Sequence, residues 1–479
     1  MSLGKKASIG AIWQLSGGLF QALVRVGASV YLARQLEPEH FGIFGIATIV
    51  YGLFELLSVA GMTSGVLVKD SLDKKDLSTC FWLVMGARLV LMLCLFFSAS
   101  FIAVYMESPP VEEVIRFIAI IILITGVGAI PQTLLVREMR FKVLVLIRLS
   151  GILFESSLAV ALVYYTDLTY MALAISMLVG VCYMNLCYLF IAKWLPAFLF
   201  SYKRAKYFLF FGLNRLGSSI SNYAGNNFDY IIVGKLLGTR ELGFYEFAYR
   251  IPHMLNEKLT GPIGSVVFSH LAKVKNDPVE LKRTFLSWFK YIVWITIPLY
   301  FGLAMVAHDL VYLLWGEKWL TIVVPMQILC ISALLHGWGD LATYLFLIKE
   351  KPNVALRIDL ITLVVTMLLV SVCGYIWGIV GIALGMLLSR SIKMLALVYA
   401  MSMIPCAASN ALKIVWKPMV ASAAMLLPVP LFEEYIHSSF TQLVVQIPSS
   451  ALVYALITYL LFQSDWNQLK TEASKLIQK

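Results

Sequence analysis

Charged side chains interrupt the long apolar runs of this sequence, and they are the residues whose types could do chemistry. A charge at the centre of a bilayer costs at least about 2.5–3.5 kcal/mol on insertion scales, so such residues mark functional sites or buried pairs. An arginine guanidinium matches the oxygens of a phosphate, whereas a carboxylate can carry a proton or a cation. We therefore expect an anion-binding transporter rather than a hydrolytic centre.

Arg25 is the first candidate for contact with an anionic ligand. It lies about two thirds of the way through the first apolar run, among Gly17, Gly18 and Gly27. Small residues at these positions would let helices separate or a head group approach. The alternative is an ion pair between Arg25 and Glu55.

Arg215 is the second candidate, because its apolar run is unusually rich in amides and hydroxyls. Asn222 and Asn226 follow it on the same predicted helix. Such a helix cannot face lipid on all sides. It either lines a wet cavity whose amides bind sugar hydroxyl groups, or it hydrogen-bonds to neighbouring helices.

Other charged residues are candidates for substrate contact or ion coupling, and each has an alternative interpretation. Arg88 is close enough to a helix end to extend its charge to the membrane surface, or it faces a cavity. Arg250 lies four residues after Glu246, so it binds substrate or is neutralised on its own helix. Three carboxylates either carry a coupling ion or only pair with an arginine, namely Glu55, Glu155 and Asp340.

The elements that hold these residues follow from composition. The chain has 479 residues, 60% of them hydrophobic and 14% charged, whereas a soluble domain carries roughly 25% charged residues. This composition predicts an all-α polytopic membrane protein. A span requirement of roughly 20 apolar residues gives about fourteen helices, at residues 10–33, 41–68, 80–105, 112–136, 143–165, 168–192, 207–233, 241–271, 284–307, 319–348, 354–375, 377–400, 414–434 and 439–462.

The distribution of basic residues predicts the orientation. Most of the 38 lysines and arginines fall in alternate loops, which the positive-inside rule places in the cytoplasm together with both termini. Arg390 and Lys393 are counted with these cytoplasmic bases. Residues 193–206 contain Trp, Pro and several bases, and we interpret them as a cytoplasmic linker along the lipid head groups.

An internal repeat indicates two halves. The segment around Leu36, Gly42 and Ala47 aligns without a gap with the segment around Leu237, Gly243 and Ala248, at an offset of 201 residues. A repeat of six spans keeps its membrane orientation, which predicts two parallel lobes with a substrate path between them. The predicted parts are residues 1–192, the linker 193–206, residues 207–402, and residues 403–479 with the last two spans and the tail.

One stretch resembles a known family. Its sequence is Asn226-Asn-Phe-Asp229-Tyr-Ile-Ile-Val-Gly234-Lys-Leu-Leu-Gly238-Thr-Arg-Glu-Leu-Gly243-Phe-Tyr245. It resembles the Wzx-type polysaccharide flippases of the multidrug/oligosaccharidyl-lipid/polysaccharide exporter superfamily, in the exopolysaccharide and lipopolysaccharide branch. The resemblance implies a V-shaped transporter of two six-helix lobes plus two helices. It would move an undecaprenyl-pyrophosphate-linked oligosaccharide from the inner to the outer leaflet of the bacterial inner membrane by alternating access.

Two other functions remain open at this point. A cation-coupled multidrug exporter of the same superfamily would need a net acidic cavity, and the surplus of bases in the first half disfavours it. A membrane-embedded polymerase or glycosyltransferase would need a long outer loop, and none is predicted. The sequence contains no phosphate-binding loop, cofactor motif or metal motif, so we expect no enzyme and no cofactor. The expected partners are membrane lipid, the lipid-linked oligosaccharide and polysaccharide-assembly proteins such as a polymerase, but not nucleic acid.

Overall fold

The computed structural model describes residues 3–59, 61–428 and 439–463. The regular secondary structure of these residues consists of helices, without a strand. Nine of the described helices are long and apolar enough to cross a membrane, judged by length and composition. The chain divides into two compact units, Met1–Glu246 (unit 1) and Phe247–Lys479 (unit 2).

Unit 1 contains eight helices and the start of a ninth. Their bounds are α1 Leu3–Gln35, α2 Pro38–Val59, α3 Met62–Val68, α4 Lys74–Tyr105, α5 Pro110–Arg137, α6 Phe141–Tyr165, α7 Tyr170–Ala192, α8 Tyr202–Leu237 and α9 Thr239–Leu255. The α9 helix runs across the division between the units.

Unit 2 continues with a π-helical turn and further long helices. Their bounds are Asn256–Thr260 (π), α10 Gly261–Lys273, α11 Pro278–Met305, α12 Ala307–Trp315, the 3₁₀ turn Glu317–Ile322, α13 Val323–Ile348, α14 Pro352–Ser402, α15 Ala408–Ala423 and α16 Ser439–Leu461. Apolar side chains from α11, α13 and α14 form the main core of this unit, including Phe285, Phe289, Trp338 and Phe346.

Local chemistry sets several helix ends. Asp73 caps α4, and its side chain and that of Asp76 exchange hydrogen bonds with each other's backbone N–H. This capping box satisfies two amides that would otherwise lack partners. The 51-residue α14 consists of two helices joined at a kink, where Gly378 has φ 59° and ψ −140°. Glycine alone adopts such a conformation without strain, so the kink separates the predicted spans 354–375 and 377–400.

The predicted spans differ from the helices at three places. The span predicted at 41–68 is interrupted at Gly61, whose φ is 71°, and continues as α3. The span predicted at 241–271 contains the π-helical turn, and the short α12 was not predicted. Part of the span predicted at 414–434 lies outside the described residues. The count of about fourteen spans and the lobe boundaries stay predictions.

The two copies of the predicted repeat touch within unit 1. A Cβ atom at Gly42 would collide with the carbonyl oxygen of Thr239, and one at Gly243 would collide with the carbonyl oxygen of Pro38. Thr239 follows Pro38 by the same 201 residues that separate Gly243 from Gly42. The contact is thus reciprocal, as expected for two equivalent surfaces related by a local twofold axis. It supports the internal repeat.

Candidate functional site

A buried ion pair joins three helices of unit 1. Arg88 on α4 donates from Nη2 to Glu55 Oε1 at 2.7 Å and from Nη1 to Glu55 Oε2 at 3.0 Å. Its Nη1 also donates to the carbonyl oxygen of Ile122 at 2.7 Å and contacts the hydroxyl of Thr125. Only 2% of the Arg88 side chain is exposed, against 28% of Glu55. Arg88 is therefore the more deeply buried partner, and the carboxylate of Glu55 neutralises its charge.

A glycine leaves space for this pair, and a tyrosine hydroxyl donates a hydrogen bond to it. A Cβ at Gly126 on α5 would lie 2.7 Å from Arg88 Cδ, so the glycine admits the arginine stem. Tyr51 donates a long hydrogen bond of 3.4 Å to Glu55 Oε2. The Nε of Arg88 is buried without a partner among the described residues. The pair is costly to break because Arg88 without Glu55 would be an uncompensated buried charge, and Glu55 without Arg88 a half-buried one.

Arg25 has a different environment. Its side chain is exposed, and it makes no hydrogen bond or ion pair with the rest of the described chain. The alternative of an Arg25–Glu55 ion pair is wrong, because Glu55 pairs with Arg88 instead. The charge of Arg25 acts on Glu155 of α6.

The packing of α1 on α6 explains why Arg25 and Glu155 lie at one level. A Cβ at Gly17 would collide with Val145, so the two helices approach closely there. Arg25 lies eight residues beyond Gly17 and Glu155 ten residues beyond Val145, which places both about 12–15 Å further along parallel helices at a rise of 1.5 Å per residue. Gly180 of α7 leaves space for Glu155, since a Cβ there would lie 2.8 Å from Glu155 Cβ.

Unit 2 holds a second charged cluster. Lys393 Nζ lies 3.5 Å from Asp340 Oδ1 and 3.5 Å from Asp359 Oδ1. Arg390 Nη1 lies 3.0 Å from His336 Nδ1. Because a guanidinium can only donate, the His336 Nδ1 accepts this bond. The imidazole is then neutral, with its proton on Nε2, 4.0 Å from Asp340 Oδ2.

The charge distribution counted Arg390 and Lys393 with the cytoplasmic bases, and their membrane side stays a prediction. Both lie inside the second half of α14 rather than in a loop. Arg390 is 12 residues beyond Gly378, about 18 Å at the helical rise, and is 7% exposed. Their position inside the predicted span 377–400 was a usable signal, because a base so far from both helix ends cannot simply belong to a loop. His336 was not selected either, since a single histidine in an apolar run carries no motif.

The remaining predicted residues are only partly described. The guanidinium carbon of Arg250 lies 4.3 Å from the centroid of the Phe247 ring, a cation–π contact. The side chains of Arg215, Asn222 and Asn226 lie outside the described residues, although the α8 backbone that carries them is helical. Their roles stay predictions.

Comparison with known proteins identifies the family. Residues 31–325 match the model of a family described as polysaccharide biosynthesis protein. The chain belongs to this family. The lipopolysaccharide biosynthesis protein WzxC of Escherichia coli (strain K12) is 23% identical over 458 residues, covering 95% of this chain and 88% of that protein. The teichuronic acid biosynthesis protein TuaB of Bacillus subtilis (strain 168) is 28% identical over 302 residues, covering 62% of each chain.

The fold of this polysaccharide biosynthesis protein is shared with a solved transporter. The structure described as the lipid II flippase MurJ in an inward closed conformation matches with a TM-score of 0.77 and 15% sequence identity, over 95% of this chain and 99% of that chain. Together with the nine described helices of membrane-spanning length, the match shows a multi-pass membrane protein of the predicted fold class.

Proposed function

We propose that the protein is a flippase that moves an undecaprenyl-pyrophosphate-linked oligosaccharide repeat unit across the bacterial inner membrane for surface polysaccharide synthesis. It works as a transporter by alternating access and not as an enzyme. Both termini lie in the cytoplasm, and a polymerase accepts the product. The family assignment carries the proposal, and the names of WzxC and of the structural neighbour MurJ point to the same process.

Arg25 is the residue through which the substrate pyrophosphate is recruited. Its guanidinium is exposed and has no ion-pair partner among the described residues, so all of its donors are available to phosphate oxygens. Arg88 supports the site indirectly because it holds Glu55 in place. Arg215, Arg250, Asn222 and Asn226 contribute to sugar and phosphate contacts in the second half.

Among the three candidate coupling carboxylates, Glu155 has the most suitable surroundings. Glu55 is fixed by Arg88, and Asp340 lies beside Lys393. Glu155 has neither an ion pair nor a hydrogen bond with another described residue, and Arg25 is close enough to influence it electrostatically. A half-buried carboxylate of this kind can exchange a proton or bind a cation without first breaking an ion pair.

The decisive experiment replaces Arg25. We expect Arg25→Ala to abolish surface polysaccharide and translocation of the lipid-linked oligosaccharide in proteoliposomes, and Arg25→Lys to restore part of both, because a point charge replaces the planar fork. Arg116→Ala is the matched control, since Arg116 already pairs with Glu112 at 2.7 Å. Membrane insertion should be normal in all three variants. Unchanged polysaccharide in Arg25→Ala would contradict the proposal.

A further inference from the structure

The segment that connects α7 with α8, residues 193–201, is fastened along the beginning of α4. Trp82 Nε1 donates to the carbonyl oxygen of Ala197 at 2.8 Å, and Ser78 Oγ accepts from the N–H of Ala197 at 3.1 Å. Thr79 Oγ1 accepts from the N–H of Ser201 at 3.2 Å. These three side chains replace the partners that extended backbone lacks, so we call residues 193–201 the strap.

A ring stack within the strap and ion pairs just after it add to these hydrogen bonds. Phe198 stacks on Trp82 with centroids 5.2 Å apart and an interplanar angle of 22°. Just after the strap, Arg204 pairs with Asp73 and, at 3.0 Å, with Asp76. The strap is therefore a defined wall beside α4 within unit 1.

An apolar groove lies between the strap and α4. It has a volume of about 510 Å³ and is lined by Trp82, Leu83, Gly86, Ala87, Val90, Leu91 and Phe200. Along α4 it extends over the ten residues from Trp82 to Leu91, about 14 Å at the helical rise. Gly86 faces open space, since a Cβ there would meet no other atom within 4 Å. Val90 is 60% exposed, so the groove opens on the outer surface of the unit.

Four exposed lysines lie near one end of this groove. Lys74 and Lys75 are in the first turn of α4, and Lys203 and Lys206 are at the start of α8. None of the four side chains has an ion pair or hydrogen bond with another described residue. Lys75 precedes Trp82 by seven residues, about 10 Å along the helix. The arrangement places four unpaired positive charges beyond one end of the apolar groove.

We propose that this groove and its lysines, Lys74, Lys75, Lys203 and Lys206, form a docking site for a polyprenyl pyrophosphate before it reaches Arg25. The prenyl chain lies in the groove and the pyrophosphate lies among the lysines. The apolar lining suits a hydrocarbon chain, and four lysines suit a multiply charged head group. A bulk phospholipid instead has two chains and a single phosphodiester. This assignment of the occupant rests on the proposed function.

The test uses the full-length protein in phosphatidylcholine nanodiscs and a photoreactive polyprenyl pyrophosphate without sugar. Gly86→Trp fills the groove and also removes a helix-interior glycine, so the helix is not weakened. We expect it to reduce covalent capture by about tenfold, because the prenyl chain loses its apolar contacts. Val104→Trp, at a 76% exposed position of the same helix, should leave capture unchanged.

The lysines and the source of the lipid are tested separately. The double variant Lys203→Gln/Lys206→Gln should weaken capture and reduce its dependence on salt, because fewer ionic contacts are made. Phosphatidylglycerol added to the nanodiscs should compete poorly. Equal competition by phosphatidylglycerol, or undiminished capture by Gly86→Trp, would overturn the docking site.

Failure of this inference is distinguishable from failure of the proposed function. If wild-type protein and Gly86→Trp translocate the lipid-linked oligosaccharide equally well in proteoliposomes, the docking site is wrong and the flippase proposal stands. If wild-type protein captures the probe at the groove but does not translocate the oligosaccharide, the flippase proposal is wrong.

Discussion

The buried arginines of units 1 and 2 lie in clusters that neutralise charge in different ways. Arg88 makes a two-point ion pair with Glu55, whereas Arg390 donates to the neutral ring of His336. In unit 2 the two carboxylates, Asp340 and Asp359, lie nearest Lys393 instead. An arginine inside an apolar helix is therefore not a ligand-binding residue by type alone. Its partner decides its role.

Arg25 completes this comparison. It lies in the same unit as Arg88, but it is exposed and its only described influence is on Glu155. Among these three arginines, Arg88 is paired with a carboxylate, Arg390 donates to a neutral ring, and Arg25 has no hydrogen bond or ion pair with the described residues. Substitutions can separate these roles, because each removes a different partner.

The largest expected effect on stability is that of Arg88→Ala. The variant leaves the half-buried Glu55 without its counter-charge in unit 1. Leaving a fully buried charge unpaired costs about 3–5 kcal/mol, which is the upper bound for this variant. We expect low yield of folded protein and a clearly lowered thermal midpoint in size-exclusion assays of detergent-solubilised protein.

The control for Arg88→Ala removes both charges. Glu55→Gln/Arg88→Met should recover most of the lost stability, because neither remaining side chain is an unpaired ion. A double variant as unstable as Arg88→Ala would show that the pair is not what holds α2, α4 and α5 together.

Arg390→Ala should have an intermediate effect. Removing Arg390 leaves the His336 Nδ1 acceptor without its partner, which costs about 1–3 kcal/mol, and no carboxylate loses a direct ion pair. The thermal midpoint should fall less than in Arg88→Ala. If the thermal midpoint fell equally in Arg390→Ala and Arg88→Ala, the two clusters would not differ in how strongly their arginines stabilise the fold. His336→Gln with Arg390 retained is the matched control, since its amide oxygen can still accept the bond.

Sequence reasoning located the long helices but not their interruptions. Apolar length predicted α4 to α7 within a few residues, because a span requirement is a property of composition. The π-helical turn and the break at Gly61 leave the apolar composition of their spans unchanged, so a span requirement does not detect them. Gly42 and Gly243 were found as a repeat, and their reciprocal contact gives that repeat a physical reason.

The charged residues were harder to predict, because pairing depends on distances between helices. Glu55 was a reasonable partner for Arg25 by sequence order, but Gly126 and the adjacent Thr125 make the space for Arg88. Arg390 was counted with the cytoplasmic bases, although the predicted span 377–400 contains it. The correct signal was its depth in the predicted span.

Arg204→Ala should have the smallest effect on the thermal midpoint. It tests whether burial of an arginine or its pairing determines the stability that the arginine contributes. Arg204 also pairs with two carboxylates: the exposed Asp73, and Asp76, which is only 3% exposed but keeps Lys69 as a partner at 2.5 Å when Arg204 is removed. Ion pairs exposed to water contribute little to folding stability. Arg204→Ala should therefore leave the thermal midpoint near that of wild type while loosening the strap, seen as faster hydrogen exchange in residues 193–201.

The pH dependence of the strap follows from Asp73. The hydrogen bond from Arg204, with one from the backbone of Asp76, lowers the pKa of the Asp73 carboxyl to about 2, against an ordinary value of about 3.9. For a lowered pKa, the stabilising contribution is complete above the ordinary value and is lost as the pH falls through the lowered one. Strap protection, corrected for intrinsic exchange rates, should persist in wild type at pH 4 and decline towards pH 2. Arg204→Ala should show weak protection at both pH values.

If instead Arg204→Ala lowered the thermal midpoint as far as Arg88→Ala, pairing rather than burial would determine the cost of removing an arginine from unit 1.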